Sequence, residues 1–369
     1  MKLLALIASL SCLPMVASQH WVYFGTGADG VYVASFDDES GQIGAVRRAA
    51  EVTRPNFLAI HPSQDRLYSV NRLAEDGKPR DSATAFSFDR STGELTKINQ
   101  LETQGSGSCH VNVDATGQMI SIANYSSGSL EAMSLRDDGG LGANTSFFQH
   151  EGSSAHPRQS SAHTHSVNYS PDNRFLIVAD LGMDQLLVYR AIPERADLEP
   201  HTPPFHSIEP GSGPRHFTFH PNGRFAFAVN ELASTVTALE YDAAAGAFKT
   251  LQTISTLAAD VDVENTTAEI LVHPSGRFLY ASNRGHNSIA VFSVEPETGR
   301  LRSVQRASTL GDWPRNFRIA PGGRFLLAAN QQSDSVVVFA IDASTGRLSP
   351  TGVSAKAPSP MCIRFIERR

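Results

Sequence analysis

Two side chains able to exchange protons, His165 and Glu231, and four arginines, Arg72, Arg215, Arg284 and Arg315, stand out in this 369-residue chain. An imidazole titrates close to neutrality and serves as general acid or base. A guanidinium holds a carboxylate or phosphate through two parallel hydrogen bonds and steadies a developing oxyanion. Together these types suit acid–base chemistry on a small anionic molecule. They lie far apart in sequence, so only a fold that brings the chain back repeatedly to one place can assemble them.

Local motifs offer less. GTGADG (25–30) has the G-x-G-x-x-G spacing of a dinucleotide-binding turn. That turn needs a helix after its third glycine, and VYVASF (31–36) reads as a strand. A hairpin turn is expected instead. His163 and His165 share one face of a strand, but no carboxylate stands at a spacing that completes a metal site, and no metal is expected. A nucleophile elbow, a phosphate-binding loop and zinc-type cysteine spacing are all missing from the sequence, which disfavours serine-hydrolase and nucleotide chemistry.

The composition, 41% hydrophobic and 18% charged, supports a large globular core. A net charge of −6 with no basic run makes nucleic acid and anionic membranes poor partners. Residues 1–18 have a basic start, a short apolar run and small residues before a cut, the pattern of a secretory signal peptide. A secreted protein is expected. Asn144 and Asn265 head sequons in turn-like stretches and are candidate glycan sites; Asn124 and Asn168 head two more beside strand-like runs.

The positioning elements emerge when the chain is slid along itself. PNFLAIHPSQDRLYSVN (55–71), SCHVNVDATGQMISIAN (108–124) and THSVNYSPDNRFLIVAD (164–180) align with PRHFTFHPNGRFAFAVN (214–230), TAEILVHPSGRFLYASN (267–283) and PRNFRIAPGGRFLLAAN (314–330). Each is an alternating strand, a tight turn and a second strand ending in Asn or Asp. The ends, Asn71, Asn124, Asp180, Asn230, Asn283 and Asn330, are spaced 53, 56, 50, 53 and 47 residues apart. A period near 50 with several short strands per unit predicts a β-propeller of four-stranded blades. PMCIRF (360–365) begins a seventh unit that Trp21 to Ala50 completes, so the termini share one blade and residues 19–369 form a single seven-bladed domain. In that arrangement Cys109 and Cys362 lie two blades apart and are expected to stay unpaired.

Equivalent positions of a propeller form rings around one mouth of the channel. The ring at the start of the first strands holds Asn56, Cys109, His165, Arg215, Ala268, Arg315 and Met361. The ring after the second strands holds Gly27, Arg72, Tyr125, Leu181, Glu231, Arg284 and Gln331. The recurring His61, His220 and His273, and Arg66, Arg174, Arg224, Arg277 and Arg324, occupy the opposite turns and are expected to serve the fold.

With PRHFTFHPNGRFAFAVNEL (214–232), HTHSVNYSPDNRFLIVADLG (163–182) and FLYASNRGHNSIAVFS (278–293) in view, the chain resembles the seven-bladed propeller lactonases. These include bacterial-type 6-phosphogluconolactonases and fungal carboxy-cis,cis-muconate lactonising enzymes. The resemblance spans about residues 20–367. It implies a cofactor-free, metal-free site of His165, Arg215, Glu231 and Arg284; the ring positions add Arg72, Arg315, Tyr125 and Asn56 as expected substrate-binding neighbours. It also implies an anionic lactone as partner, opened by water or closed by a cycloisomerase, with His165 or Glu231 as the acid–base group. A propeller guiding another cyclisation in secondary metabolism, or a non-catalytic secreted binding propeller, are the alternatives. A monomer or weak homo-oligomer is expected.

Overall fold

The computed structural model describes residues 19–75 and 78–368. The proposed signal segment therefore lies outside the described residues. The alternating apolar pattern of each unit folds as read: seven four-stranded antiparallel sheets form the blades of a propeller. Six blades are continuous in sequence, at residues 53–102, 108–149, 164–207, 214–255, 266–308 and 314–356. The seventh joins Pro360–Glu367, innermost, to Gln19–Thr26, Val31–Asp37 and Arg47–Ala50, with Val22 opposite Phe365. Sharing the blade closes the ring and leaves no open edge there.

Helix is almost absent among the described residues, limited to single 3₁₀ turns at Pro193–Arg195 and Gln331–Ser333. None is long and apolar enough to cross a membrane. The GTGADG stretch is the hairpin turn between Gln19–Thr26 and Val31–Asp37. Gly30 takes φ +109°, and Thr26 Oγ1 donates to its carbonyl at 2.9 Å. Only glycine adopts that backbone without strain.

The core lies between the blades. Phe225, Phe227 and Val229 of one blade pack on Ile270, Leu279 and Ala281 of the next. Val22, Phe24 and Ala34 of the shared blade pack on Leu327, Ala329 and Val336. The recurring turn residues tie neighbours together at the rim. The Nε2 atoms of His61, His220 and His273 lie 3.1, 2.8 and 2.8 Å from the carbonyls of Gly117, Gly276 and Gly323, each in the following blade. Arg66 and Arg277 donate likewise to Asp138 and Ala343 carbonyls, at 2.9 and 3.2 Å. These are fold residues.

The sequon asparagines at 144 and 265 are also structural. Asn144 Nδ2 donates to Glu131 Oε2 at 2.7 Å, and Asn265 Nδ2 to Ser234 Oγ at 2.9 Å. The nitrogens that a glycan would occupy are engaged inside the protein.

A break in the ladders aims residues into the channel. In the first hairpins of four blades the pairing skips one residue: Thr164 faces Asp180 and Ser166 faces Ala179, leaving His165 unpaired. Cys109, Arg215 and Arg315 are skipped in the same way. These are β-bulges, which bend a strand and redirect a side chain. In a regular strand consecutive residues face opposite sides. Here the bulged residue and its successor both turn toward the axis, forming two adjacent rows: His165 and Arg215 above, His110 and His216 beneath.

Candidate active site

The recurring Asn or Asp at the end of each second strand builds the upper mouth. Asn230 is fully buried, and its Nδ2 donates to Thr235 and Thr237 hydroxyls, both at 2.9 Å. Asp180 Oδ1 accepts from the backbone N–H groups of His163 and Gly182, at 2.8 and 3.0 Å. Each latch fixes the turn that follows, and with it the next residue. Glu231 after Asn230, Arg284 after Asn283 and Tyr125 after Asn124 are all placed this way.

Glu231 is the hub. Its Oε2 lies 3.0 Å from Arg215 Nε and 2.9 Å from Arg284 Nη2, and its Oε1 lies 2.8 Å from Arg158 Nη2. Burial favours a protonated carboxyl, but Arg284, Arg215 and Arg158 outweigh it and hold Glu231 down at about 2. At neutral pH it is a carboxylate committed to three guanidiniums. In that state it accepts from guanidiniums on both oxygens and holds no proton to donate.

His165 is different. Burial, reinforced by Arg215, His216 and Arg315, holds its imidazole well below the ordinary histidine value. The sequence suggested titration near neutrality; burial and the surrounding cations favour the neutral imidazole there instead. Tyr125 packs edge-on against it at 5.4 Å and stacks on His163 at 4.6 Å. Cys109 Sγ lies 3.9 Å from His165 Nδ1, the spacing of a thiol beside an imidazole. Burial pushes that thiol up to about 12, so it stays protonated and inert.

These residues enclose a cavity of about 320 Å³. His165, Glu231, Arg284, Arg72, Arg315, Tyr125 and Asn56 all reach its wall. Of the eight expected residues only Arg215 does not. It is 2% exposed and lies beneath Glu231, with Nη1 donating to the Ala268 carbonyl at 2.6 Å. Its guanidinium is engaged by Glu231 and the Ala268 carbonyl, whereas the sequence suggested that it would hold the substrate as well as orient Glu231. Leu181 and Gln331 of the predicted ring are likewise off the wall; Leu181 is fully buried, and the 3₁₀ turn at Gln331–Ser333 carries Gln331 aside.

Sequence reasoning missed Arg158, Arg54 and Asp81. Arg158 comes from the connection between two blades, residues 150–163, and its Nη2 also lies 3.2 Å from Tyr125 Oη. One signal was present: the interval from Asn124 to Asp180 is the longest of the repeat, and long loops in compact folds often carry function. Asp81 pairs loosely with Arg72 at 3.9 Å and accepts from Gly107 N–H at 2.6 Å.

Five arginines, at 54, 72, 158, 284 and 315, thus line the wall against two acids. Arg315 makes no hydrogen bond or ion pair with any described residue. Burial, and then the nearby Arg284, lower its guanidinium's affinity for its proton, against a smaller opposing pull from Glu231. A neutral base thus faces oriented guanidiniums in a small pocket, a combination that can activate water and receive an anion. No cluster of metal-ligating residues occurs among the described residues.

Fold and site together define a seven-bladed propeller with a cationic acid–base pocket at one mouth. The family model described as "Lactonase, 7-bladed beta-propeller" matches residues 21–365. The chain is 36% identical over 299 residues to a 6-phosphogluconolactonase of Bacillus subtilis, covering 80% of this chain and 83% of that one. It is 34% identical to a 6-phosphogluconolactonase of Formosa agariphila, covering 79% and 82%. Among solved structures, the periplasmic gluconolactonase of Pseudomonas aeruginosa superposes with a TM-score of 0.89 at 35% identity, over 95% of this chain and 100% of that one. The chain belongs to the seven-bladed β-propeller lactonase family.

Proposed function

We propose that the protein hydrolyses the ring ester of a small anionic sugar lactone of the 6-phosphogluconolactone type. The observation that carries this reading is the neutral His165 facing unpaired Arg315 across the cavity. His165 takes a proton from water as the water oxygen bonds to the lactone carbonyl carbon. Negative charge moves onto the carbonyl oxygen, where Arg315 and the Glu231-oriented Arg284 stabilise it. The ring C–O bond then breaks, and the imidazolium returns its proton to the departing alkoxide. The product is an open-chain hydroxy acid. The 320 Å³ cavity falls within the range of small-molecule sites, roughly 300–1,000 Å³. The names of the B. subtilis and P. aeruginosa relatives support the substrate class. Ring closure of a carboxylated muconate has no such support among these relatives.

The test is lactonase activity of the purified protein on 6-phosphogluconolactone, gluconolactone and carboxymuconate. Hydrolysis of the phosphorylated lactone with the highest kcat/KM is expected. Arg315→Gln should lower that value about 10- to 100-fold, the loss of one charged contact to the oxyanion, and lower the value for gluconolactone by a similar factor. Turnover of carboxymuconate alone would overturn the reading. Residues 1–18 are further proposed to direct export. A purified extracellular or periplasmic form beginning near residue 19 is the expected result, and retention of Met1 on an intracellular protein would refute it.

A further inference from the structure

The far end of the channel holds a second cavity, about 720 Å³, that the proposed catalysis does not use. Its wall includes the fifth residue of each unit's first strand. Five of these are uncharged, Asn112, Asn168 and Thr218 among them. The other two are Arg318 and Arg364, on the neighbouring innermost strands Pro314–Ile319 and Pro360–Glu367. This row contains no carboxylate.

Neither arginine forms a direct ion pair, although the Glu269 carboxylate acts on both at longer range. Arg318 makes no hydrogen bond or ion pair with any described residue. Arg364 donates only to the Ile363 carbonyl at 2.8 Å and lies over the Phe57 ring at 4.7 Å. Glu269 is the one acid on this wall, and its carboxylate is already taken. Its Oε1 lies 2.8 Å from His216 Nδ1 and accepts from Ile270 N–H at 3.0 Å, while Oε2 accepts from Asn316 Nδ2. Burial, and then the proximity of Arg364, lower Arg318 to about 10, against a smaller opposing pull from Glu269.

An aromatic floor divides this cavity from the upper one. Phe57 packs on His110 at 4.1 Å and His110 on His216 at 5.2 Å, and His216 touches His165 at 5.3 Å from below. A ligand in the lower cavity therefore does not occupy the catalytic pocket.

We propose that the lower mouth is a separate anion site, in which Arg318 and Arg364 together hold the phosphate or carboxylate group of a small molecule. Two adjacent guanidiniums in a half-enclosed cavity form the donor array that an oxyanion accepts from several directions. Asn112, Asn168 and Thr218 supply uncharged hydrogen-bonding groups across the cavity for the remainder of such a ligand.

Calorimetric titration of the full chain with inorganic phosphate tests this. Wild type is expected to bind two phosphates, and Arg284→Gln/Arg315→Gln, disabled above, to keep one. Arg318→Gln/Arg364→Gln is expected to lose that one, or to weaken it at least tenfold, with kcat and KM toward the lactone unchanged. Parallel titration with gluconate separates a carboxylate from a phosphate source; binding of either that depends on Arg318 and Arg364 supports the site. Should the double variant fold poorly, selenate soaked into wild-type crystals is expected to give an anomalous peak between residues 318 and 364. The proposal is overturned if a folded Arg318→Gln/Arg364→Gln protein titrates like wild type with both anions, or if the soaked crystals show no such peak.

Discussion

At the upper mouth three guanidiniums converge on Glu231, whereas at the lower mouth Arg318 and Arg364 converge on nothing. The upper three come from an innermost strand, the end of a second strand and the connection at residues 150–163, the lower two from the innermost strands Pro314–Ile319 and Pro360–Glu367. The difference shows what one carboxylate does in a cationic pocket. Above, Glu231 fixes the arginines before any ligand arrives, so little reorganisation is needed as charge develops. Below, no carboxylate binds the two cations together, and only Arg364 is held, by the Ile363 carbonyl and the Phe57 ring, an arrangement suited to holding a charged group and not to chemistry on it. Neutral histidines border both cavities, His165 above and His110 and His216 below, so the contrast lies in the carboxylate that gathers the arginines.

The largest expected break in this comparison is His165→Ala, which should lower kcat/KM by about 10²- to 10⁴-fold. Because burial and the neighbouring arginines hold the imidazole well below 6.5, wild-type kcat/KM should stay level from neutral pH down through 6.5. It should fall only in stronger acid, where His165 gains its proton. A profile that bends near pH 7 would contradict the assignment. Arg215→Lys comes next. An ammonium keeps the charge but cannot hold both Glu231 and the Ala268 carbonyl as the guanidinium does, so a loss of about 30- to 1,000-fold, roughly 2–4 kcal/mol, is expected in steady-state assays.

A third effect is on stability. His110, His165 and His216 are all buried with depressed proton affinity, His216 to about 4. Above 6.5 these histidines are neutral in folded and unfolded chains alike and contribute no pH dependence. Below 6.5 the unfolded chain gains protons that the native one refuses, so stability falls with pH. Three such protons amount to at most about 4 kcal/mol per pH unit. Thermal melts should therefore be level near pH 7–8 and drop steeply below 6.5, less so in His110→Asn. An unchanged Tm at pH 5.5 would mean that the row is hydrated. The smallest effect belongs to Arg224→Lys at the outer turn, where the side chain is exposed and its contact with the Glu297 carbonyl is long, 3.5 Å. Activity and Tm should both be nearly unchanged.

Much of this was legible from the repeat. Because each unit carries the same strand–turn–strand pattern, the blade count, the shared terminal blade and the upper ring of His165, Glu231 and Arg284 follow from alignment of the chain with itself. What was hidden depends on contacts between units. Arg158 sits in an irregular loop whose path no periodicity predicts. Arg215 fits the ring position, but only packing shows that its guanidinium turns under Glu231. The proton affinity of His165 is set by burial, which ring membership does not reveal. The two lower arginines were visible in RNFR and MCIR (315–318 and 361–364), yet they look like ordinary strand residues until the row is followed around the channel.

The skipped residues at the upper mouth carry a further consequence for how such a protein can diverge. A residue inside a ladder must satisfy its cross-strand neighbour and its packing layer, so few replacements are tolerated. Cys109, His165, Arg215 and Arg315 have no cross-strand partner, because the pairing passes over them. Each can be exchanged without disturbing the pairing of its blade. The propeller thus holds a set of interchangeable letters around one opening, and a different word there would change the chemistry while the surrounding architecture stays as it is.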